Sequence, residues 1–236
     1  MKTLNILIFL LLFNTFILLG YLATTGNVTY ERITANLTRV IDGDTIDTDL
    51  GKVRMLGINT PEKKQPYYQE AKDFLRQYEG KKVELERTIE DKDKYGRLLR
   101  YVLYGGKLVN EEILRQGFAN FYSYNEDKYT SRLKKAEEDA RENERGLWKK
   151  SSKAGCIELV NLQYVEQERC HNQEKIILEN KCEKLELILK DDANHIYNID
   201  VQKGRFEMNF SCVWNDEGDS VMIRDEEGMI LFYRYP

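Results

Sequence analysis

Cysteine is missing from the first 155 residues; Cys156, Cys170, Cys182 and Cys212 are the only four in the chain. None forms a Cys-x-x-Cys pair, and His171 beside Cys170 has no second close pair, so the spacing builds no zinc module. An even number of late cysteines points instead to disulfides, with three possible pairings left open. A strong basic excess is also absent. The net charge is −4, but residues 1–150 carry 26 Lys+Arg against 23 Asp+Glu, while residues 151–236 carry 10 against 17. The first part therefore tolerates a polyanion, the second repels one, and the asymmetry suggests two units with different partners. Only one long apolar run exists. Leu4–Leu22 is 19 residues without a charge, with Asn5, Asn14 and Thr15 its only strongly polar members. It is long enough to cross a bilayer as a helix. Lys2 before it would hold the N-terminus inside and export the rest. Residues 1–26 are thus expected to be a signal anchor, or a signal peptide if cleaved, although "GYLATTGN" is a poor small-x-small cleavage site. Either way the body lies outside the cytoplasm: membrane-anchored through that helix, or secreted. Asn27, Asn36 and Asn209 sit in glycosylation sequons, relevant only where the cell has that machinery.

Beyond the apolar segment, alternation and turn residues divide the chain. Thr34–Ile41, Thr45–Asp49 and Val53–Ile58 are expected as strands, separated by Asp42-Gly43-Asp44 and Leu50-Gly51-Lys52 turns. In the third, Val53, Met55 and Gly57 should face one way. A helix carrying Tyr67, Ala71, Phe74, Leu75 and Tyr78 follows and ends at Gly80. Lys82–Glu86 and Leu98–Tyr104 are two more strands. Asn110 is expected to cap a second helix and Ser131 a third. Five short strands joined mostly by hairpins imply a small closed barrel with packed helices, an α+β unit over residues 32–149. "KKSSKAG" supplies a linker at 150–155. About seven strand-like runs in 156–236 imply an antiparallel sandwich.

The stretch "VIDGDTIDTDLGKVRMLGINTPE" is the chemical signal. If its strands form a meander, Asp42 and Asp44 lie near the Asn59-Thr60 turn. Carboxylate, amide and backbone carbonyl oxygens together suit Ca²⁺, which tolerates irregular geometry. Arg54 and Arg97 supply guanidinium groups that match phosphate oxygens, and Glu62 is positioned to orient or deprotonate water. A solvated acidic turn, a surface Arg97 and a helix-capping Glu62 are the competing explanations.

"VIDGDT", "VRMLGINTPE", "DKYGR", "LVNEEILRQGFA" and the closing "GLW" resemble the staphylococcal nuclease (thermonuclease) family in order and approximate spacing, over Thr34–Trp148. The resemblance implies an OB-fold barrel with three helices and a Ca²⁺-dependent phosphodiesterase that cuts DNA and RNA to 3′-phosphates. It implies Asp44 as a metal ligand, Asp42 as its acidic neighbour, the Thr60 backbone carbonyl and Asn59 as further ligands, and Glu62 as general base. It implies Arg54 and Arg97 at the scissile phosphate, and Lys94, Tyr95, Tyr122 and Tyr124 against the nucleotide; ordinary packing at the barrel rim is the alternative for these four. One departure stands out: the family's best-known member has Asp where this chain has Asn59, and fewer ligand charges weaken Ca²⁺ binding.

"VWNDEGDSVMIRDEEGMILFYRYP" and "LILKDDANHIYNI" resemble the lamin-tail domain, an immunoglobulin-like sandwich associated with binding or targeting. An accessory module with an unknown partner is expected, with Asp216, Glu217 and Asp219 in a solvated turn. The alternative function is a catalytically weakened nuclease-like module binding nucleic acid or protein at the cell surface. A third is an adhesion protein in which the sandwich acts and the barrel is a stalk.

Overall fold

The computed structural model describes residues 31–123, 126–164, 174–193, 195–214 and 218–235. The expected N-terminal anchor, Tyr124, Cys170, His171, Asp216 and Glu217 lie outside them. Among the described residues no helix is long and apolar enough to cross a membrane. Residues 32–236 make one unit with two lobes.

Alternation builds the first lobe. Strands β1 (Arg32–Val40), β2 (Thr45–Thr48) and β3 (Gly51–Met55) form an antiparallel meander. They turn Leu37, Val40, Ile46, Val53 and Met55 inward, all nearly inaccessible to water. Strand β4 is only Ile58–Asn59. The expected continuous strand through Ile58 is therefore broken, and Gly57 is the cause. It sits at φ +72°, and a Cβ there would lie 2.4 Å from Leu133 Cδ1, so only glycine allows the bend and the close approach.

Helix α1 (Tyr68–Arg76) buries Ala71 and Leu75 against the barrel. Strands β5 (Lys82–Lys92) and β6 (Leu98–Tyr104) follow, and β7 (Lys107–Leu108) extends the sheet. β5 pairs with β1 and β6, and β6 runs parallel to β3, which closes the five-stranded barrel.

Helix α2 (Val109–Arg115) has Leu108 at its N-cap and no side-chain cap. Asn110, expected there, is fully buried instead. Its Oδ1 accepts from Val102 N at 2.9 Å and its Nδ2 donates to Leu56 O at 2.7 Å. Two backbone groups without ladder partners claim the side chain, since leaving them unpaired in the core is costly.

β8 (Asn120–Phe121) pairs with β4, placing Asn59 opposite Asn120. Helix α3 (Thr130–Glu142) is not capped by Ser131. Asp127 Oδ1 accepts from Tyr129 N at 2.8 Å and Thr130 N at 3.2 Å, taking that role.

Among the described residues the second lobe is all β, with seven strands in two sheets. One contains β9 (Ile157–Gln163), β10 (Glu174–Asn180) and β13 (Gly204–Phe210). The other contains β11 (Leu185–Lys190), β12 (Ile196–Val201), β14 (Asp219–Arg224) and β15 (Met229–Tyr235). Ile176, Leu178, Leu187, Leu189, Trp214, Val221 and Ile223 fill the space between them. Cys156 and Cys182 form a disulfide, and Cys212 is also disulfide-bonded.

The segment expected to be a linker packs against the second lobe. Ser151 is buried, its N donates to Met229 O at 2.9 Å, and its Oγ donates to Asp225 Oδ2 at 2.8 Å. Asp219 is buried too, against the expectation of a solvated turn. It accepts from Asp192 N at 2.9 Å, and burial, followed by the charge of Asp192, pushes its carboxyl up to about 6.

Candidate active site

The Asp42–Asp44 turn joins β1 to β2 and is pressed against the start of α1. A Cβ on Gly43 would lie 2.7 Å from both Ala71 Cβ and Thr60 Oγ1. The turn therefore requires glycine, and that closeness delivers Asp44 to Thr60.

Asp44 is the hub. Its Oδ2 accepts from the N–H and the hydroxyl of Thr60, each at 3.1 Å, and lies 3.3 Å from Arg54 Nη2. Its Oδ1 accepts from Thr45 Oγ1 at 3.0 Å. Arg54 stands on β3 opposite Thr45. It donates to Met55 O at 2.5 Å and reaches Asn59 Oδ1 at 3.5 Å.

Arg97 arrives from the β5–β6 turn. Asp93 Oδ2 holds its Nε at 2.6 Å, and Asp93 Oδ1 accepts from the backbone N–H groups of Tyr95 and Arg97. Burial alone would raise the Asp93 carboxyl, but the hydrogen bonds from Arg97 outweigh it and hold the group below its ordinary value. Arg97 Nη1 then reaches Thr45 Oγ1 at 3.5 Å. Thr45 thus bridges Asp44 and Arg97. Neither Thr45 nor Asp93 was singled out from the sequence, although the Asp93-x-x-x-Arg97 spacing across a glycine turn was there to be read.

Asp42 Oδ1 accepts from Asp44 N at 3.1 Å. Burial, then the neighbouring charge of Asp44, raises the Asp42 carboxyl above its ordinary value. Two partly buried carboxylates that repel each other are relieved by a cation between them. Carboxylates, a threonine carbonyl and an amide oxygen are hard donors, and this set fits Ca²⁺ in kind. Among the described residues no three His, Cys, Asp or Glu side chains gather as a metal group, so neutral oxygens and water would complete the shell.

The remaining sequence-derived residues take different places. Glu62 is exposed just past the Thr60-Pro61 turn, with its N–H donating to Gln65 Oε1 at 2.9 Å. Tyr95 is 73% exposed, with Lys94 Nζ at 5.2 Å and Arg97 Cζ at 5.5 Å from its ring centre. An open ring with two cations beside it can stack a base next to a phosphate. Tyr122 is half-buried and its N–H donates to Gly57 O at 3.3 Å. The structure therefore brings Asp42, Asp44, Arg54, Asn59, Thr60 and Arg97 together and leaves Lys94 and Tyr95 at the rim.

Local pattern could not anticipate the second lobe's arrival at this site. Asn59 Nδ2 donates to Asp192 O at 3.1 Å and to Ala193 O at 2.8 Å.

Comparison with known proteins finds relatives of the first lobe. Residues 52–150 match the family model described as staphylococcal nuclease homologue. The chain is 39% identical over 127 residues to a thermonuclease of Staphylococcus hyicus, covering 49% of this chain and 75% of that protein. It is 37% identical over 125 residues to a thermonuclease of Staphylococcus intermedius, covering 48% and 74%. It is 38% identical over 133 residues to endonuclease YncB of Bacillus subtilis, covering 50% and 63%.

Proposed function

Because the chain belongs to the staphylococcal nuclease family, and is thus a nuclease that hydrolyses phosphodiester bonds, we propose that it acts outside the cytoplasm as a Ca²⁺-dependent enzyme on DNA and RNA, leaving 3′-phosphates. The observation that carries the reading is the position of Asp44, in contact with Thr60 and Arg54 and linked through Thr45 to Arg97.

Asp42, Asp44, the Thr60 carbonyl and Asn59 Oδ1 would hold the Ca²⁺ ion. When bound there, the ion supplies positive charge for a phosphate oxygen. Arg54 and Arg97 bind the non-bridging oxygens and stabilise the negative charge that builds as water adds to phosphorus. Asp93 and Thr45 keep the Arg97 guanidinium fixed before substrate arrives, so little ordering is left for the reaction step. Glu62 takes the proton of the attacking water. The bond from phosphorus to the 5′ oxygen breaks, and that oxygen takes a proton from solvent water and leaves as a hydroxyl. Tyr95 and Lys94 would receive the adjoining base and phosphate, and Tyr122 and Tyr124 are assigned to the same nucleotide.

Export is supported by the Leu4–Leu22 run and by the disulfides, which persist in oxidising compartments. The seven-stranded lobe is read as an immunoglobulin-like module of lamin-tail type. A second reading, a weakened module that binds without cutting, is favoured by one fact: the amide of Asn59 stands where a carboxylate would add ligand charge. Glu62→Gln, Arg54→Ala and Arg97→Ala separate the two. Each should cost about 10²-fold or more in turnover, whereas a folded wild-type protein that binds DNA and does not cut it would leave only the binding reading.

A further inference from the structure

Asn59 has two faces. Its Nδ2 meets two carbonyl oxygens of the β11–β12 turn, Asp192 O and Ala193 O. Its Oδ1 lies toward Arg54. Carbonyl oxygens only accept, so the two of them fix the amide: Nδ2 toward the second lobe, Oδ1 toward Arg54. A carboxylate at this position would set an oxygen against two carbonyl oxygens.

The turn that receives Asn59 is itself held from several sides. Lys190 Nζ donates to Asp191 O at 2.9 Å, Ala193 O at 2.6 Å and Asn120 Oδ1 at 3.3 Å, so its three N–H groups serve three acceptors. Asn120, the cross-strand partner of Asn59, donates to Asp192 O at 2.9 Å. Arg234 Nη2 reaches Asp192 Oδ1 at 2.8 Å and its Nη1 pairs with Glu137 of α3. Asp219 accepts from Asp192 N.

We infer that the second lobe completes the nuclease site. Its Asp191–Ala193 turn, held by Lys190, fixes the proposed ligand Asn59 in the one orientation that presents Oδ1 to Arg54, making Lys190 a positioning residue of hydrolysis. This rests on the nuclease reading above. Coupling of this kind is reciprocal, so occupancy of the hydrolytic site tightens the turn as the turn tightens the site.

The test uses the full chain as wild type, Lys190→Met, Asn59→Asp and Asn120→Ala. Three quantities are read: hydrogen exchange of the amides in residues 185–193, steady-state DNA hydrolysis, and the Ca²⁺ midpoint. Lys190 hydrogen-bonds to Asp191 O, Ala193 O and Asn120 Oδ1, none of them a proposed ligand of metal or phosphate, although its charge is felt at Glu62. Its replacement should speed exchange in the turn and lower kcat about tenfold, with KM changed less than about twofold. Asn59→Asp should speed exchange in the same turn and fail to tighten the Ca²⁺ midpoint, despite the added charge. If Lys190→Met does not fold, Asn120→Ala, which removes a donor to Asp192 O and no proposed ligand, carries the test, with faster turn exchange and lower kcat expected together. The inference is overturned if Lys190→Met or Asn120→Ala loosens the turn and keeps wild-type kcat. It is equally overturned if Asn59→Asp binds Ca²⁺ at least tenfold more tightly with turn protection unchanged. A wild-type protein that cuts no DNA sinks the nuclease reading instead, a result distinct from either.

Discussion

Arg234→Met should separate the two lobes energetically. Arg234 extends from β15 to Glu137 of α3, to Asp192 Oδ1 at 2.8 Å and to Ser220 Oγ at 2.8 Å. Glu137 is 1% exposed and its Oε1 also accepts from Phe121 N at 2.7 Å. Removing the guanidinium leaves two buried carboxylates. Among the described residues Arg141, at 3.8 Å, is the cation that remains beside Glu137. Breaking one side of a buried pair costs about 3–5 kcal/mol. For a chain of this size that lowers Tm by about 6–20 °C.

The pH dependence carries a sign. Burial pushes the Glu137 carboxyl up, and Arg234 offsets this only in part. Without Arg234 the folded-state value rises further above the unfolded one, so the native variant binds a proton that the unfolded chain releases. The deficit should be largest near pH 8 and shrink as pH falls through the raised value. Thermal unfolding followed by circular dichroism at about pH 8 and about pH 5 reads both effects. The double variant Glu137→Gln/Arg234→Met should lose less than the sum of the singles, because Glu137 is then no longer a stranded charge and only Asp192 remains one. A Tm within about 2 °C of wild type near pH 8 would refute the reasoning.

Other perturbations have equally direct readouts. Gly43→Ala forces the acidic turn off Thr60 and Ala71, at about 1–3 kcal/mol of overpacking, and should reduce DNA hydrolysis more than tenfold in a still-folded protein. Asp219→Asn removes a carboxyl whose folded value, about 6, exceeds its unfolded one. Wild-type stability should therefore decline between about pH 4 and pH 6, and the variant's pH–stability curve should be flatter there. Replacing both Cys156 and Cys182, separated by 26 residues, should lower stability by about 3.5 kcal/mol on the chain-entropy model. Denaturant midpoints of wild type and variant, each with and without reductant, measure it.

The barrel was readable because each strand carries its own alternation. β6 falls on Leu98–Tyr104 as expected, and the described C-terminal residues form seven strands where about seven strand-like runs were expected. The Asp-Gly-Asp turn and the two arginines were readable because their spacing is local and chemically unusual. What was missed depends on partners distant in sequence. Asn110 looks like a cap until Leu56 and Val102 claim it. Gly57 alternates like a strand residue until Leu133 packs against it. Asp219 and Ser151 belong to polar stretches that solvate well in isolation, and only the packed lobe buries them. Asn59 and Asp192 lie 133 positions apart; no periodicity in either segment announces their bond. The sequence departure at Asn59 was visible, but its physical counterpart, a pair of carbonyls that need a donor, belongs to the other lobe.

The decisive measurement is DNA cleavage by the purified chain as Ca²⁺ is titrated from none to millimolar levels, beside Arg97→Ala. Cleavage that rises with Ca²⁺, stops with chelator and falls at least about 10²-fold in the variant is the expected result. A folded wild-type protein that leaves DNA intact at every Ca²⁺ concentration, or an Arg97→Ala variant that cuts as fast as wild type, would contradict it.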